Sequence, residues 1–154
     1  MENIILPTNP DHVIENYREV EANIHTLYKA ITNPAHLARW WGPKGFTNTF
    51  NEFDFKPGGR WSFVMYGPDK SNYDNECIFL KIEEPSLIIF NHVSPPEFQV
   101  VLSLTEISPL KTEITFQQVF KTATACAKLK DFCLEKNEEN LDRLEQELFT
   151  MQKQ

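Results

Sequence analysis

The residues of this chain that could act as acids, bases or nucleophiles do not form a known catalytic motif. The sequence has no glycine-rich phosphate loop, no Gly-x-Ser-x-Gly elbow and no His-Glu-x-x-His pair. The carboxylates of Glu52, Asp54 and Glu76 could serve as general acid or base only if an apolar cavity raised their pKa. Glu52 and Asp54 alternate with phenylalanines, which predicts that they face water. The sequence nominates no base to activate Cys77. We therefore assign no catalytic residue and predict a binding protein rather than an enzyme.

Two uncharged polar side chains are candidates for contacting a ligand. His92, in "IIFNHV", shares a predicted strand face with Ile88 and Phe90, so it lies either inside a cavity or at a strand end with its ring hydrogen-bonded. Gln118 shares a predicted face with Phe116. Its amide either orients a ligand or is satisfied by neighbouring backbone.

Two of the three tryptophans are adjacent, Trp40 and Trp41 in "LARWWGPKGF". Adjacent helical positions point about 100° apart, so the two rings cannot face the same way. We predict that at least one ring anchors the short helices onto the sheet, and we hypothesise that the other closes the mouth of a cavity.

Charge and composition argue against several classes of partner. The 154 residues carry a formal net charge of −7 with scattered basic residues, so we expect no nucleic acid and no anionic membrane surface as a partner. No apolar run approaches the roughly 20 residues of a membrane span. The start "MENIILPTNP" lacks the features of a signal peptide, which makes the cytoplasm the expected compartment. Cys77, Cys126 and Cys133 lack metal-ligand spacing, and we predict no metal ion and no cofactor.

The spacing of apolar residues predicts the elements that must position these side chains. Alternation over His12–Val20 predicts a first strand, and helical spacing after Asn23 predicts a short helix. A second short helix starts at Asn33, includes Trp41 in its apolar stripe and ends at Gly42.

From Phe46 onward, turn residues separate a series of strands, which short connections make antiparallel. Residues 67–75, "GPDKSNYDN", are predicted to be a longer connection. Helical spacing returns over residues 124–151. Asn137 resembles a helix start, so this region is either two helices or one bent helix.

These elements predict an α+β fold in which a long C-terminal helix covers an antiparallel sheet. We expect one domain over residues 1–154, with residues 1–11 as an N-terminal arm. The gap between sheet and helix is a natural ligand cavity.

Three blocks in this order, "NPAHLARWWGPKGF", "FDFKPGGRWSFVMYGP" and "ENLDRLEQEL", resemble the SRPBCC, or START-like, helix-grip superfamily. Within it they resemble the branch named for the C-terminal domain of the activator of heat-shock protein 90 ATPase, and the resemblance runs from about His12 to Phe149. It implies a curved antiparallel sheet wrapped around a long C-terminal helix, with two short helices after the first strand. It also implies a hydrophobic cavity between them.

The resemblance implies a binder of an apolar, amphipathic or lipid-like small molecule, and it leaves two alternatives. One is an enzyme of cyclase or hydrolase type that uses the same cavity. The other is a chaperone-binding module, which we do not expect because the chain has no room for the separate N-terminal domain of the chaperone activator. A homodimer is compatible with the sequence. The side chains predicted to contact the ligand are Trp40, Trp41, Phe46, Trp61, Phe63, Phe90, His92, Phe116, Gln118, Leu141 and Leu144.

Overall fold

Seven strands and three α-helices make up the part of the chain that the computed structural model describes, residues 4–153. A short 3₁₀ turn, Pro10–His12, precedes the first strand. The strands are β1 (Val13–Val20), β2 (Thr47–Phe53), β3 (Arg60–Tyr66), β4 (Asn72–Glu83), β5 (Leu87–His92), β6 (Phe98–Ser108) and β7 (Lys111–Val119). The helices are α1 (Ile24–Thr32), α2 (Pro34–Trp40) and α3 (Ala123–Gln152).

All seven strands form one antiparallel sheet in the order β1-β7-β6-β5-β4-β3-β2. Strands β2 to β7 are a meander, and β1 pairs with β7, so α1 and α2 connect the two opposite edges of the sheet. The register shifts in β2 at Phe50/Glu52, in β4 at Phe79/Lys81 and in β6 at Glu106/Ser108, and such bulges bend the strands that carry them. The predicted α+β helix-grip fold is confirmed.

Both short helices begin at the predicted asparagines. The Asn23 side chain accepts a hydrogen bond from the backbone N–H of His25, and that of Asn33 accepts one from Ala35. The end of α2 differs from the prediction, since the helix stops at Trp40 and Trp41 is its extended C-cap residue. Gly42 follows with φ of +104°, a conformation that glycine adopts readily.

Strand β4 is longer than the sequence predicts. It starts at Asn72, because Gly67 and Ser71 close a tight turn with a 2.8 Å backbone hydrogen bond and Tyr66 pairs with Asn72. Asparagine and aspartate are poor strand formers, which is why the pattern favours a loop. Pairing with β3 overrides that preference and places Asn75 in the sheet.

Helix α3 is one continuous helix of 30 residues. Asn137 does not start a second helix, because its side chain is buried against the sheet instead of capping a helix end. The predicted stripe is buried at Leu141, Leu144 and Leu148, which face the concave side of the sheet as part of the main core cluster.

Ion pairs join α3 to the rest of the fold. Arg18 of β1 contacts Glu138, Asp142 and Glu145 at 2.6–2.8 Å, so part of the acidic helix face is paired with β1. His36 of α2 lies 2.7 Å from the buried carboxylate of Glu147. These contacts, together with core packing, hold α3 against both the sheet and α2.

The described part of the N-terminal arm lies on the opposite face of the sheet. The side-chain amide of Gln99 accepts from the backbone N–H of Ile5 at 2.9 Å and donates to its carbonyl at 2.7 Å. Residues 1–3 of the predicted arm lie outside the described residues. Within residues 4–153, no helix is both long and apolar enough to cross a membrane.

Candidate ligand-binding site

The space between the concave face of the sheet and α3 contains a cavity of about 140 Å³, which we call the amide compartment. Three asparagines, a glutamine and a histidine contribute to its wall, and among residues 4–153 no carboxylate, lysine or arginine side chain does. Its lining residues are Trp41, Gly42, Pro43, Phe63, Met65, Asn75, Cys77, Phe90, His92, Phe98, Val100, Phe116, Gln118, Asn137 and Asn140.

A second group of residues forms a neighbouring aromatic compartment, which side chains almost fill. Its rings leave only about 10 Å³ free. All of its lining side chains are apolar or aromatic: Ile31, Leu37, Trp41, Phe53, Phe55, Trp61, Phe79, Ile88, Phe90 and Leu102. Trp41 and Phe90 belong to both compartments, so their rings form the wall between them.

The two adjacent tryptophans have different environments. Trp40 is 1% exposed, and its indole Nε1 donates to the carbonyl of Ala30 at 2.9 Å. Trp41 is half-buried. Its ring stacks on Phe116, with centroids 5.9 Å apart and planes 10° apart, and meets Trp61 edge to face at 5.2 Å. One ring therefore lies in the core and the other beside the cavity.

Helix α3 fixes the backbone that carries Trp41. The buried carboxamide of Asn140 accepts from the backbone N–H of Gly42 at 3.1 Å. Arg143 is half-buried, and burial lowers the pKa of its guanidinium. That group donates to four backbone carbonyls at the end of α2: Arg39, Trp41, Gly42 and Pro43. The orphan carbonyls of the helix end are thus satisfied, and the Trp41 side chain projects from a fixed backbone.

Buried amides form a connected cluster at the α3 side of the cavity. Asn137 Nδ2 donates to Gln118 Oε1 at 2.8 Å and to Asn16 Oδ1 at 3.1 Å. Asn16 in turn donates to the Leu134 carbonyl and to a Glu138 carboxylate oxygen at 2.7 Å. Of the two explanations left open for Gln118, the structure shows an amide bonded by a side chain from α3 rather than by neighbouring backbone.

His92 combines the two placements that the sequence left open. It lines the amide compartment, and its ring stacks on Phe98 with centroids 4.7 Å apart. Its Nδ1 lies 3.0 Å from the Pro96 carbonyl oxygen, and its Nε2 lies 2.7 Å from Asn75 Oδ1. Burial lowers the pKa of His92, which favours the neutral imidazole.

The candidate acid, base and nucleophile are not assembled around the cavity. Neither compartment is lined by Glu52, Asp54 or Glu76, and Glu76 pairs with Arg60 at 2.6 Å. Cys77 does line the amide compartment, but burial raises the pKa of its thiol, and the charge of Glu76 adds to that effect. A protonated thiol is a poor nucleophile. Among residues 4–153, no three His, Cys, Asp or Glu side chains cluster as metal ligands.

The structure brings most, but not all, of the predicted ligand contacts to one place. Six line the amide compartment, namely Trp41, Phe63, Phe90, His92, Phe116 and Gln118. Trp61 lines the aromatic compartment. Trp40, Leu141 and Leu144 are buried in the core and line neither compartment, and Phe46 packs against Tyr73 with ring centroids 6.0 Å apart. The binding role of these residues stays a prediction.

The predicted ligand contacts leave out eight side chains that line the amide compartment: Pro43, Met65, Asn75, Cys77, Phe98, Val100, Asn137 and Asn140. A signal existed for two of them, since Asn137 and Asn140 fall at helical spacing from Leu141 and Leu144 and so share the apolar stripe. Asn75 carried no such signal, because the sequence placed it in a loop.

A sequence model described as Activator of Hsp90 ATPase homolog 1-like protein matches residues 21–148. The chain belongs to this family. The matched region includes both compartments, α1, α2 and all of α3 up to Leu148, and the resemblance in the three sequence blocks is therefore confirmed.

Solved structures share the fold of this AHSA1-like chain. A protein from Nitrosomonas europaea has a TM-score of 0.85 and 19% identity, covering 95% of this chain and 99% of that chain. A Mycobacterium smegmatis protein has a TM-score of 0.81 and 22% identity, covering 92% of this chain and 94% of that chain. The AHSA1 protein from Silicibacter pomeroyi has a TM-score of 0.76 and 17% identity, covering 90% of this chain and 99% of that chain. At these identities the similarity establishes the fold alone. No curated protein matches this chain significantly in sequence.

Proposed function

We propose that this protein binds a small, uncharged and largely apolar molecule in the amide compartment. The observation that carries the proposal is a cavity of about 140 Å³ whose wall combines aromatic rings with uncharged hydrogen-bonding groups. Ligand sites in proteins have this composition, in which apolar walls supply affinity and a few polar groups fix orientation.

The absence of charged lining residues favours a neutral ligand. Neither a carboxylate nor a basic side chain lines the cavity, so a buried ionic ligand would have no ion-pair partner and would lose its hydration. The size favours a single-ring molecule, because an apolar protein cavity of roughly 150 Å³ accommodates benzene.

The protonation states around the cavity support binding rather than catalysis. Burial raises the pKa of the Cys77 thiol and lowers the pKa of His92, which favours the uncharged form of each side chain. His92 Nδ1 lies 3.0 Å from the Pro96 carbonyl oxygen and Nε2 lies 2.7 Å from Asn75 Oδ1, so protein groups already occupy the positions beside both ring nitrogens.

The first test is native mass spectrometry of freshly purified protein, prepared without detergent. We expect a non-covalent adduct that disappears on denaturation. Binding of α-methylstyrene, a neutral single-ring probe, is measured in parallel by two-dimensional ¹H–¹⁵N NMR titration, with shifts expected for lining residues.

Neighbouring valines on β6 provide a matched pair of variants. Val100 lines the amide compartment and is 1% exposed, whereas Val101 is 6% exposed and packs on the opposite sheet face. Val100→Met fills the cavity and should weaken probe binding at least about tenfold, because the added side chain occupies ligand volume. Val101→Met should leave binding unchanged. Neither an adduct nor probe binding in the wild type would contradict the proposed function.

A further inference from the structure

Trp61 has a buried hydrogen-bond donor without an acceptor. Its side chain is 1% exposed, and its indole Nε1 has no hydrogen-bond partner in the described part of the chain. The equally buried Trp40 donates to the Ala30 carbonyl. The other unpaired buried polar side-chain atom among residues 4–153 is Asn48 Oδ1, and Asn48 lines neither compartment.

Aromatic rings surround the side chain of Trp61. Five aromatic rings lie within 6 Å of its ring, centroid to centroid, among them Trp41 at 5.2 Å, Phe50 at 5.4 Å and Phe63 at 4.4 Å. An aromatic face gives an N–H group only a weak contact. A buried donor left in this state costs stability, so an acceptor brought by a ligand would relieve that cost.

Trp41 lies between Trp61 and the amide compartment. Only Trp41 and Phe90 belong to both compartments, and Phe90 is fully enclosed whereas Trp41 is half-buried. Because Arg143 and Asn140 hold the backbone at the end of α2, the Trp41 ring can turn about its side-chain bonds without moving α2. Displacement of this ring would join the two compartments and extend the free space to Trp61, which lines the aromatic compartment.

We propose that Trp61 selects ligands that carry a hydrogen-bond acceptor on an aromatic group. The ligand ring takes the place of the Trp41 indole beside Phe116, and a carbonyl or ether oxygen accepts from Trp61 Nε1–H. Trp41 then closes over the ligand. This assignment rests on the proposed function and adds the chemical class of its ligand, a neutral aromatic ketone, ester or ether.

Two probes of nearly identical shape test the assignment. Acetophenone and α-methylstyrene differ by the exchange of a carbonyl oxygen for a methylene group, so only acetophenone can accept a hydrogen bond. We expect the Trp61 Nε1–H resonance, identified by its loss in Trp61→Phe, to move downfield with acetophenone and to move much less with α-methylstyrene.

Affinities in matched variants provide the second readout. A variant that only changes the shape of the cavity should alter the dissociation constants of acetophenone and α-methylstyrene by the same factor. The ratio of the two constants therefore isolates the effect of the carbonyl oxygen. Relative to the wild type, Trp61→Phe should reduce the preference for acetophenone about fivefold, the effect of a typical net hydrogen bond. The control Trp40→Phe removes an equally buried indole whose N–H is already bonded, and should leave the ratio within about twofold.

The outcomes separate this inference from the proposed function. Equal binding of both probes, with an unmoved Trp61 Nε1–H resonance, would overturn the role of Trp61 and leave the proposed function standing. Binding of neither probe would overturn the role of Trp61, and together with the absence of an adduct in native mass spectrometry it would overturn the proposed function as well. If Trp61→Phe does not fold, the chain's other two indole resonances are assigned by their loss in Trp40→Phe and Trp41→Phe. The remaining indole resonance is then that of Trp61, and its shifts in the wild type decide.

Discussion

The two compartments on the concave face of the sheet lie side by side but are built on opposite principles. In the aromatic compartment, rings pack against rings, as Phe55 does against Phe79 at 5.0 Å, and almost no free space remains. In the amide compartment, about 140 Å³ stays open beside hydrogen-bonded amides. The same sheet face therefore carries both a densely packed core and an open cavity.

The two compartments differ in the side chains that α3 places near them. Leu144 and Leu148 are part of the main core cluster, whereas two turns earlier along α3 Asn137 and Asn140 face the sheet. Amides must keep their hydrogen-bond partners in fixed geometry, so they cannot collapse into free space as flexible apolar side chains do. An open space persists where the amides lie.

The largest expected effect separates the two adjacent tryptophans. Trp40→Ala should lower the free energy of unfolding by about 3–5 kcal/mol, because it leaves a large cavity in the core. Trp41→Ala should lower it by less than half as much, since the ring is only half-buried. Urea denaturation followed by circular dichroism measures both.

The affinity of the two tryptophan variants for acetophenone is the second measurement that distinguishes Trp40 from Trp41. Trp41→Ala should weaken acetophenone binding, because the ring that closes over the ligand is lost. If Trp41→Ala loses stability as Trp40→Ala does and binds the probe like the wild type, the lid function of Trp41 is wrong.

A smaller effect is expected in the amide cluster, where β7 offers two adjacent glutamines for comparison. Gln118→Leu removes the acceptor for Asn137 Nδ2 and should lower the free energy of unfolding by about 1–2 kcal/mol, since a buried donor loses its partner. Gln117 points to the opposite face and donates to Glu15 at 2.8 Å. Gln117→Leu should change stability by less than about 0.5 kcal/mol. Equal losses in urea denaturation would show that the amide cluster has no special stabilising role.

The smallest expected effect is the pH dependence contributed by His92. Burial lowers the pKa of its imidazole in the folded protein, so below the ordinary histidine pKa of about 6.5 the unfolded chain binds a proton that the folded chain does not. Stability should therefore fall as the pH drops through about 6.5 towards the lower folded-state pKa. The contribution is fully present above that window.

Variants of two histidines measure this contribution. Between about pH 7.5 and pH 5.5, His92→Gln should lose less stability than the wild type, by roughly 1 kcal/mol or less. The exposed His25 provides a control, and His25→Gln should follow the wild type. A wild-type slope retained in His92→Gln would contradict the assignment to His92.

Much of the fold could be predicted because its signals are local. The side chains of Asn23 and Asn33 cap the helices that follow them at a distance of two residues, and Gly58 adopts the positive φ of 83° that its turn with Pro57 requires. Strand alternation on β7 correctly placed Phe116 and Gln118 on the buried face. Such features depend on neighbouring residues alone.

The limits of prediction appear where distant segments meet. Asn137 looked like a helix start because its local sequence permits one, and only contact with Gln118 and Asn16 gives its amide another partner. Asn75 looked like part of a loop until pairing with β3 brought it into the sheet beside His92.

The sequence by itself determined the order of the elements and the buried faces of β7 and α3, since helix and strand periodicity are properties of the local chain. Only the tertiary structure decided that Trp41 separates two compartments and that Trp61 lacks an acceptor for its N–H. Those facts depend on packing between β3, α2 and α3, which are far apart along the chain, so no local pattern encodes them.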